Sequence, residues 1–214
     1  MNEIFKRTLV VLMVLAMSVM TACGTSNASK AEFETGNFDG MVFTNEWANM
    51  KFTFPEGSVI ATQEEIDAVM KQGNASIYGN DEKAQETVKK AVDLKIVYDF
   101  MVANPSQFPS YQLMYENLAL TIGGSKYTEK QYLEESMKPV LANENLGYKI
   151  VDEGTKKLAG KDFYYYDLSA YNGAAFQTMY CHKLDDRMII FTVTYAPGQE
   201  QTVQQVIDSI TEAK

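Results

Sequence analysis

The chain has 214 residues, 46% of them hydrophobic, with 28 Asp and Glu against 19 Lys and Arg and a net charge of −9. That balance excludes a nucleic-acid partner, because a polyanion binder needs a basic patch, and it disfavours broad contact with an anionic lipid surface. One histidine and two cysteines are too few for a His-rich or thiolate metal site, and no cofactor is expected.

The first residues carry an address. Lys6 and Arg7 precede an apolar run over residues 9–20, and Thr21-Ala22-Cys23 follows. A charged start, a short apolar stretch and small residues are the layout of a secretory signal. The run is shorter than the ~20 apolar residues that a spanning helix needs. The stretch resembles a bacterial lipoprotein signal peptide with Met20-Thr21-Ala22-Cys23 as its lipobox. The resemblance implies removal of residues 1–22, a palmitate-type acyl chain on Cys23, and a lipid anchor on the extracytoplasmic face of the cell membrane. Each buried methylene contributes about 0.8 kcal/mol, so stable attachment takes more than one chain. The resemblance supplies the others on the glyceryl group of Cys23. Cleavage removes Lys6, Arg7 and Glu3 and leaves a mature charge of −10. Cys181 is then the single free thiol, so no internal disulfide forms and the core must hold the fold.

Residues 23–40 are small and polar and are read as the lipidated N-terminus and a flexible tether, spanning roughly 20–25 Å. One globular domain is expected over residues 41–214. Met41-Val42-Phe43 starts a short strand. Met50, Phe52 and Phe54 share one side of the next, which Pro55-Glu56-Gly57 ends. Thr62 and Glu65 form a capping box for a short helix lined by Ile66, Val69 and Met70, and Gly73 is expected to close it. A second helix is expected over residues 81–91, with Ala84, Val88 and Ala91 inward. Residues 96–102 are β-rich, Pro105 and Pro109 bound a loop, and residues 111–121 form a strand that Gly123-Gly124-Ser125 breaks. Thr128 and Gln131 box the next helix, striped by Leu133, Met137, Val140 and Leu141. Pro139 kinks it or marks its last turn.

Strand pieces at 148–151 and 155–158 lead into a meander. It comprises a strand over 163–171, a hairpin turn at Asn172-Gly173, a return over 174–183, a turn at Asp185-Asp186, and a strand over 188–195. Val203, Val206, Ile207 and Ile210 stripe a closing helix. Two-residue turns set the register: Tyr166 opposite Met179, Tyr165 opposite Tyr180, Phe163 opposite His182, Tyr180 opposite Phe191, and His182 opposite Ile189. One face then carries Phe163, Tyr165, Tyr180, Ile189, Phe191 and Tyr195, and is expected to take the main helix layer. The other carries Tyr164, Tyr166, Leu168, Met179, Cys181 and Ile190.

Few residues point to chemistry. Cys181-His182 looks like a nucleophile beside its base, but strand neighbours point to opposite faces. The pair is read as a buried thiol and a core-edge histidine, and no catalytic residue is assigned. No Gly-x-Ser-x-Gly elbow accompanies His182, and Gly123-Gly124-Ser125-Lys126 lacks the ending of a phosphate loop. Asp167 falls on the richer face beside Thr178, where a carboxylate needs a partner or shifts its pKa. It is either a wet strand-end residue bonded to Thr178 or part of an enzymatic site. Tyrosine joins an apolar body to a polar tip. Tyr164 and Tyr166 on the second face, with Tyr111 and Tyr115, are the ligand-binding candidates, against the simpler reading that sheets favour tyrosine.

The element order fits an α/β (α+β) sandwich around a mainly antiparallel sheet. The opening strands with Asn45, Phe52, Phe54, Pro55 and Gly57, the meander around Asn172-Gly173 and the closing helix over 203–210 together resemble the PsbP-like fold of small bacterial lipoproteins. The resemblance implies a non-catalytic binding or adaptor role, with a protein or small molecule of unknown identity as partner, and carries over no active-site residue. An enzyme with a site near Asp167, or a structural or stress-related envelope protein, are the alternatives.

Overall fold

The computed structural model describes residues 32–78, 95–121 and 123–214. The lipobox, Cys23 and the helix expected over 81–91 lie outside the described residues. Three strands open the chain: β1 (Asn37–Asp39), β2 (Val42–Asn45) and β3 (Met50–Thr53). They form a small antiparallel sheet in that order. Next come β4 (Val59–Ile60), α1 (Gln63–Tyr78), β5 (Ile96–Ala103), β6 (Ser110–Asn117) and α2 (Glu129–Leu141). The chain closes with β7 (Lys149–Leu158), β8 (Lys161–Ala170), β9 (Ala175–Leu184), β10 (Arg187–Tyr195) and α3 (Glu200–Asp208). The large sheet runs β4-β5-β6-β10-β9-β8-β7, antiparallel throughout. Over the described residues the fold is thus α+β, with antiparallel sheets and three helices packed on them.

Both helix starts expected from capping boxes are present. Glu65 N–H donates to Thr62 Oγ1 at 3.3 Å and Thr62 N–H to Glu65 Oε2 at 3.0 Å. Thr128 and Gln131 make the same exchange. Pro139 stands in the last turn of α2, where it removes one backbone bond to the i−4 carbonyl and the helix ends two residues later. Gly73 does not close α1, which runs on to Tyr78. A helical glycine costs about 1 kcal/mol against alanine, and that alone does not end a helix. The strand expected over 111–121 stops at Asn117, whose side chain accepts from Ala119 N–H and starts a 3-10 turn. The two strand pieces before the meander are one strand, β7.

The meander register is the expected one: Tyr165 opposite Tyr180, Tyr166 opposite Met179, Tyr180 opposite Phe191 and His182 opposite Ile189. The covering of the two faces differs. The face with Phe163, Tyr180 and Phe191 takes the small sheet and α3, through Phe43, Phe52, Phe54, Val203 and Val206. Helices α1 and α2 cover the other face, where Met70, Leu133 and Met137 meet Met114, Met179 and Ile190. The physical reason lies in the opening strands. Their aromatic residues alternate with polar ones, so β2 and β3 present a full apolar sheet face of their own.

Packing also begins earlier than Met41. β1 pairs with β2, and Phe33 sits edge-on to Trp47 and Tyr115 with the Arg187 guanidinium 3.7 Å from its ring centre. The stretch read as tether is therefore part of the folded body from about its aromatic residues onward.

Two bulges interrupt the large sheet. In β5 the register skips at Asp99, between Tyr98 and Phe100. An inserted residue exchanges the faces of the strand. Ile96 therefore faces the helices α1 and α2, whereas Phe100 and Val102 face the small sheet. The freed Asp99 carboxylate accepts from Gly36 N–H, Asn45 Nδ2 and the Tyr115 hydroxyl, at 2.9, 2.9 and 2.7 Å. In β7 the skip falls at Val151, which is 64% exposed.

The Asn172-Gly173 turn has φ of 56° and 92°, closed by Ala174 N–H to Tyr171 O at 3.3 Å. A Cβ on Gly173 would meet only Ser169 Oγ, at 3.9 Å, so a substitution is limited by backbone strain rather than by space. Gly173→Val is expected to lower stability by about 1–3 kcal/mol, read as a reduced urea midpoint at unchanged slope. A midpoint equal to the parent's would show that the turn tolerates a β-branched residue and does not set this register.

Candidate functional site

A cleft of about 290 Å³ lies between α3 and strands β7 to β10 of the large sheet. The strands supply its floor. β8 contributes Tyr165 and Asp167, β9 contributes Thr178 and Tyr180, and β10 contributes Tyr195. All five share a face because alternate strand residues do, and the register sets Tyr165 beside Tyr180 and Asp167 beside Thr178. Helix α3 forms one wall, with Val203 and Ile207 at depth and Glu200 and Gln204 at the mouth. Lys156 of β7 reaches across the rim to Gln204 Oε1 at 3.5 Å.

Asp167 is the half-buried acid of the cleft. Burial raises its pKa, the Thr178 hydroxyl donates to Oδ1 and opposes the rise, and Asp152 adds to it. Glu200 stands at the first turn of α3, where its own and the Gly198 backbone N–H groups hold its carboxylate below the usual range. The Tyr195 phenol is pushed up by burial, then by the charges of Asp167 and Glu200. Tyr165 donates to Asp152 Oδ2 at 2.9 Å, and its pKa rises chiefly for that reason. The cleft thus joins fixed phenols to carboxylates on a rigid sheet, with one lysine at its edge.

The four tyrosines singled out in the sequence do not meet there. Tyr111 and Tyr115 are 3% and 0% exposed under the small sheet. Tyr115 serves Asp99, and Tyr111 packs its ring 5.5 Å from Phe54. Tyr166 lies on the opposite face, 2% exposed beneath the helices. Tyr164 is half-buried beside it, with the Lys130 ammonium 5.7 Å above its ring and the Lys130–Glu153 ion pair alongside. A common aromatic surface would need all four on one exposed face, and the sheet divides them two and two. Asp167, by contrast, lies in the cleft.

Cys181 and His182 diverge as expected. The thiol is fully buried on the helix-covered face, and burial raises its pKa. The His182 ring lies 5.1 Å from that of Phe163 on the other side, and Nδ1 donates to Asp162 O at 2.9 Å. Among the described residues no group of three His, Cys, Asp or Glu side chains is arranged to hold a metal ion. No helix among them is long and apolar enough to cross a membrane.

No protein-family model matches the sequence, and no curated protein matches it. Solved structures share its outline. Cyanobacterial PsbP (CyanoP) from Synechocystis matches with a TM-score of 0.47 at 8% identity, over 87% of this chain and 98% of that one. A Bacteroides thetaiotaomicron protein matches at 0.41 and 12% identity, over 83% of this chain and 50% of that one. LpqN of Mycobacterium tuberculosis, described as involved in cell envelope biogenesis, matches at 0.41 and 9% identity, over 76% of this chain and 82% of that one. The likeness to the PsbP-like fold is a weak one, of chain path alone.

Proposed function

We propose that the chain is a lipoprotein held on the extracytoplasmic face of a cell membrane through acylated Cys23, and that its folded part is a non-catalytic binding or adaptor module. The observation that carries the binding role is the cleft at Asp167. Its polar groups are fixed by strand pairing before any ligand arrives, which lowers the cost of recognition. The anchor rests on Lys6, Arg7, the apolar run and Met20-Thr21-Ala22-Cys23.

Cys23→Ala is expected to abolish incorporation of labelled fatty acid and to block cleavage after Ala22. A variant that still fractionates as a cleaved, acylated protein overturns the anchor. A second reading, an enzyme at Asp167, draws on the opposed displacement of the Asp167 and Glu200 acids, the pattern of an acid and its ionised partner. That reading requires Asp167→Asn to keep ligand affinity while losing cellular function at matched abundance.

A further inference from the structure

Three phenols and two carboxylates line the cleft, and their chemistry narrows what enters it. Tyr165, Tyr180 and Tyr195 come from three adjacent strands. The Tyr165 and Tyr180 rings are 5.9 Å apart and tilted, and Tyr180 stacks on Phe191 behind it at 5.9 Å. That backing fixes Tyr180, which is 4% exposed. Asp167 and Glu200 supply two negative charges, and Asp152 supplies a third through the Tyr165 hydroxyl. Lys156 is the one cation of the lining, and it is drawn to Gln204 at the rim. An anion entering here meets an unfavourable field. A neutral polyol leaves the half-buried Asp167 charge uncompensated. A cation compensates that charge and gains attraction from the phenol rings.

Resting on the binding-module reading, we infer that the cleft is a site for a small organic cation, a primary amine or guanidinium, with Asp167 and Glu200 as its charge partners and Tyr165, Tyr180 and Tyr195 as its walls. The volume of about 290 Å³ stands at the small end of ligand pockets, so the cationic group and a short carbon stem fit and a long chain does not. Thr178 commits its hydroxyl to Asp167 Oδ1, so in this reading the ligand is taken by Oδ2. Lys156 excludes bulk at the rim and competes for Asp167, so affinity rises when its charge is removed.

The test is titration of the purified full chain, in detergent micelles with isotope-labelled tyrosine rings, against ethanolamine, agmatine, glucose and acetate. Ethanolamine or agmatine should shift the Tyr165, Tyr180 and Tyr195 resonances, with affinity falling as salt rises. Glucose and acetate should leave them in place. Asp167→Asn, which keeps the side-chain shape, and Glu200→Gln, on the exposed helix surface, should each weaken amine binding by about tenfold. Lys156→Gln should strengthen it. Glucose shifting the same rings equally in the parent and in Asp167→Asn overturns the cation and leaves the binding module standing. No shift from any probe, together with a deletion strain that Gln204→Trp fails to complement, overturns the cation alone, since the blocked mouth then matters for another ligand. No shift, together with full complementation by Gln204→Trp, overturns both.

Discussion

Phe100→Ala is expected to cost about 3–5 kcal/mol, the upper range for a buried aromatic. Phe100 is 1% exposed, and its ring centre lies 4.7 Å from that of Phe43, 5.2 Å from Phe54, 5.3 Å from Phe52 and 6.0 Å from Phe38. All four neighbours belong to the opening segment, so this one side chain joins the small sheet to the large one. Edge-to-face pairs add about 0.5–1.5 kcal/mol each beyond area burial, and the substitution removes several at once. The cavity it leaves is walled by strands on both sides, which limits collapse. Urea unfolding of parent and variant measures the loss. A deficit under about 1 kcal/mol would mean that the rings repack into the gap and that the two sheets do not depend on Phe100. Phe38→Ala, at the half-buried margin of the same group, should cost less.

Asp99→Ala is expected to be nearly as damaging, and for a different reason. It strands the Tyr115 hydroxyl, fully buried, at a cost of about 1–3 kcal/mol. It also frees Gly36 and Asn45, the ties that bring the opening segment to the bulge. Asp99→Asn separates charge from shape. Burial is the largest influence on the Asp99 carboxyl and raises its pKa, against the opposing bonds from Tyr115, Asn45 and Gly36. The folded state therefore holds this proton more tightly than the unfolded chain. Its contribution is fully present below the unfolded pKa of about 3.9 and is lost as pH rises through the raised folded value. Against the Asn variant, the parent should lose ground in urea midpoint as the buffer moves from acid toward neutral. A parent–variant difference that is constant across that range, or that moves the other way, would show that Asp99 is not held above its ordinary value.

The meander was legible because its turns are. Asp185-Asp186 is a two-residue connection, and Asn172-Gly173 is the centre of the four-residue link over 171–174, which keeps the same register. Three strands of pairing follow, down to Tyr165 beside Tyr180. The capping boxes at Thr62 and Thr128 were legible for the same local reason. The bulge at Asp99 was not. A bulge has no turn residue to mark it, so Ile96 through Val102 read as one uninterrupted β-rich run. The small sheet's role was hidden too, since β1 has three residues and its partner segment reads as polar linker apart from Phe33 and Phe38. The cleft was half visible. The register had already put Tyr165, Asp167, Thr178, Tyr180 and Tyr195 on one face. That face was taken as core, and nothing in the sequence shows that a cleft remains between it and α3. The choice of Tyr164 and Tyr166 followed from the chemistry of tyrosine, and helices α1 and α2 cover the face that carries them.

The skipped residue at Val151 has a consequence for self-association. β7 is the long free margin of the large sheet, ten residues against two in β4 at the other margin. A flat margin of that length would invite pairing with a neighbouring molecule. Here the kink at Val151 breaks the row of free amides and carbonyls, and Lys149, Asp152, Glu153, Lys156 and Lys157 put charge of both signs along it. Bulges and charged side chains are the devices by which exposed strands resist aggregation. β7 carries both, so its outer edge is a poor template for a strand from a second copy.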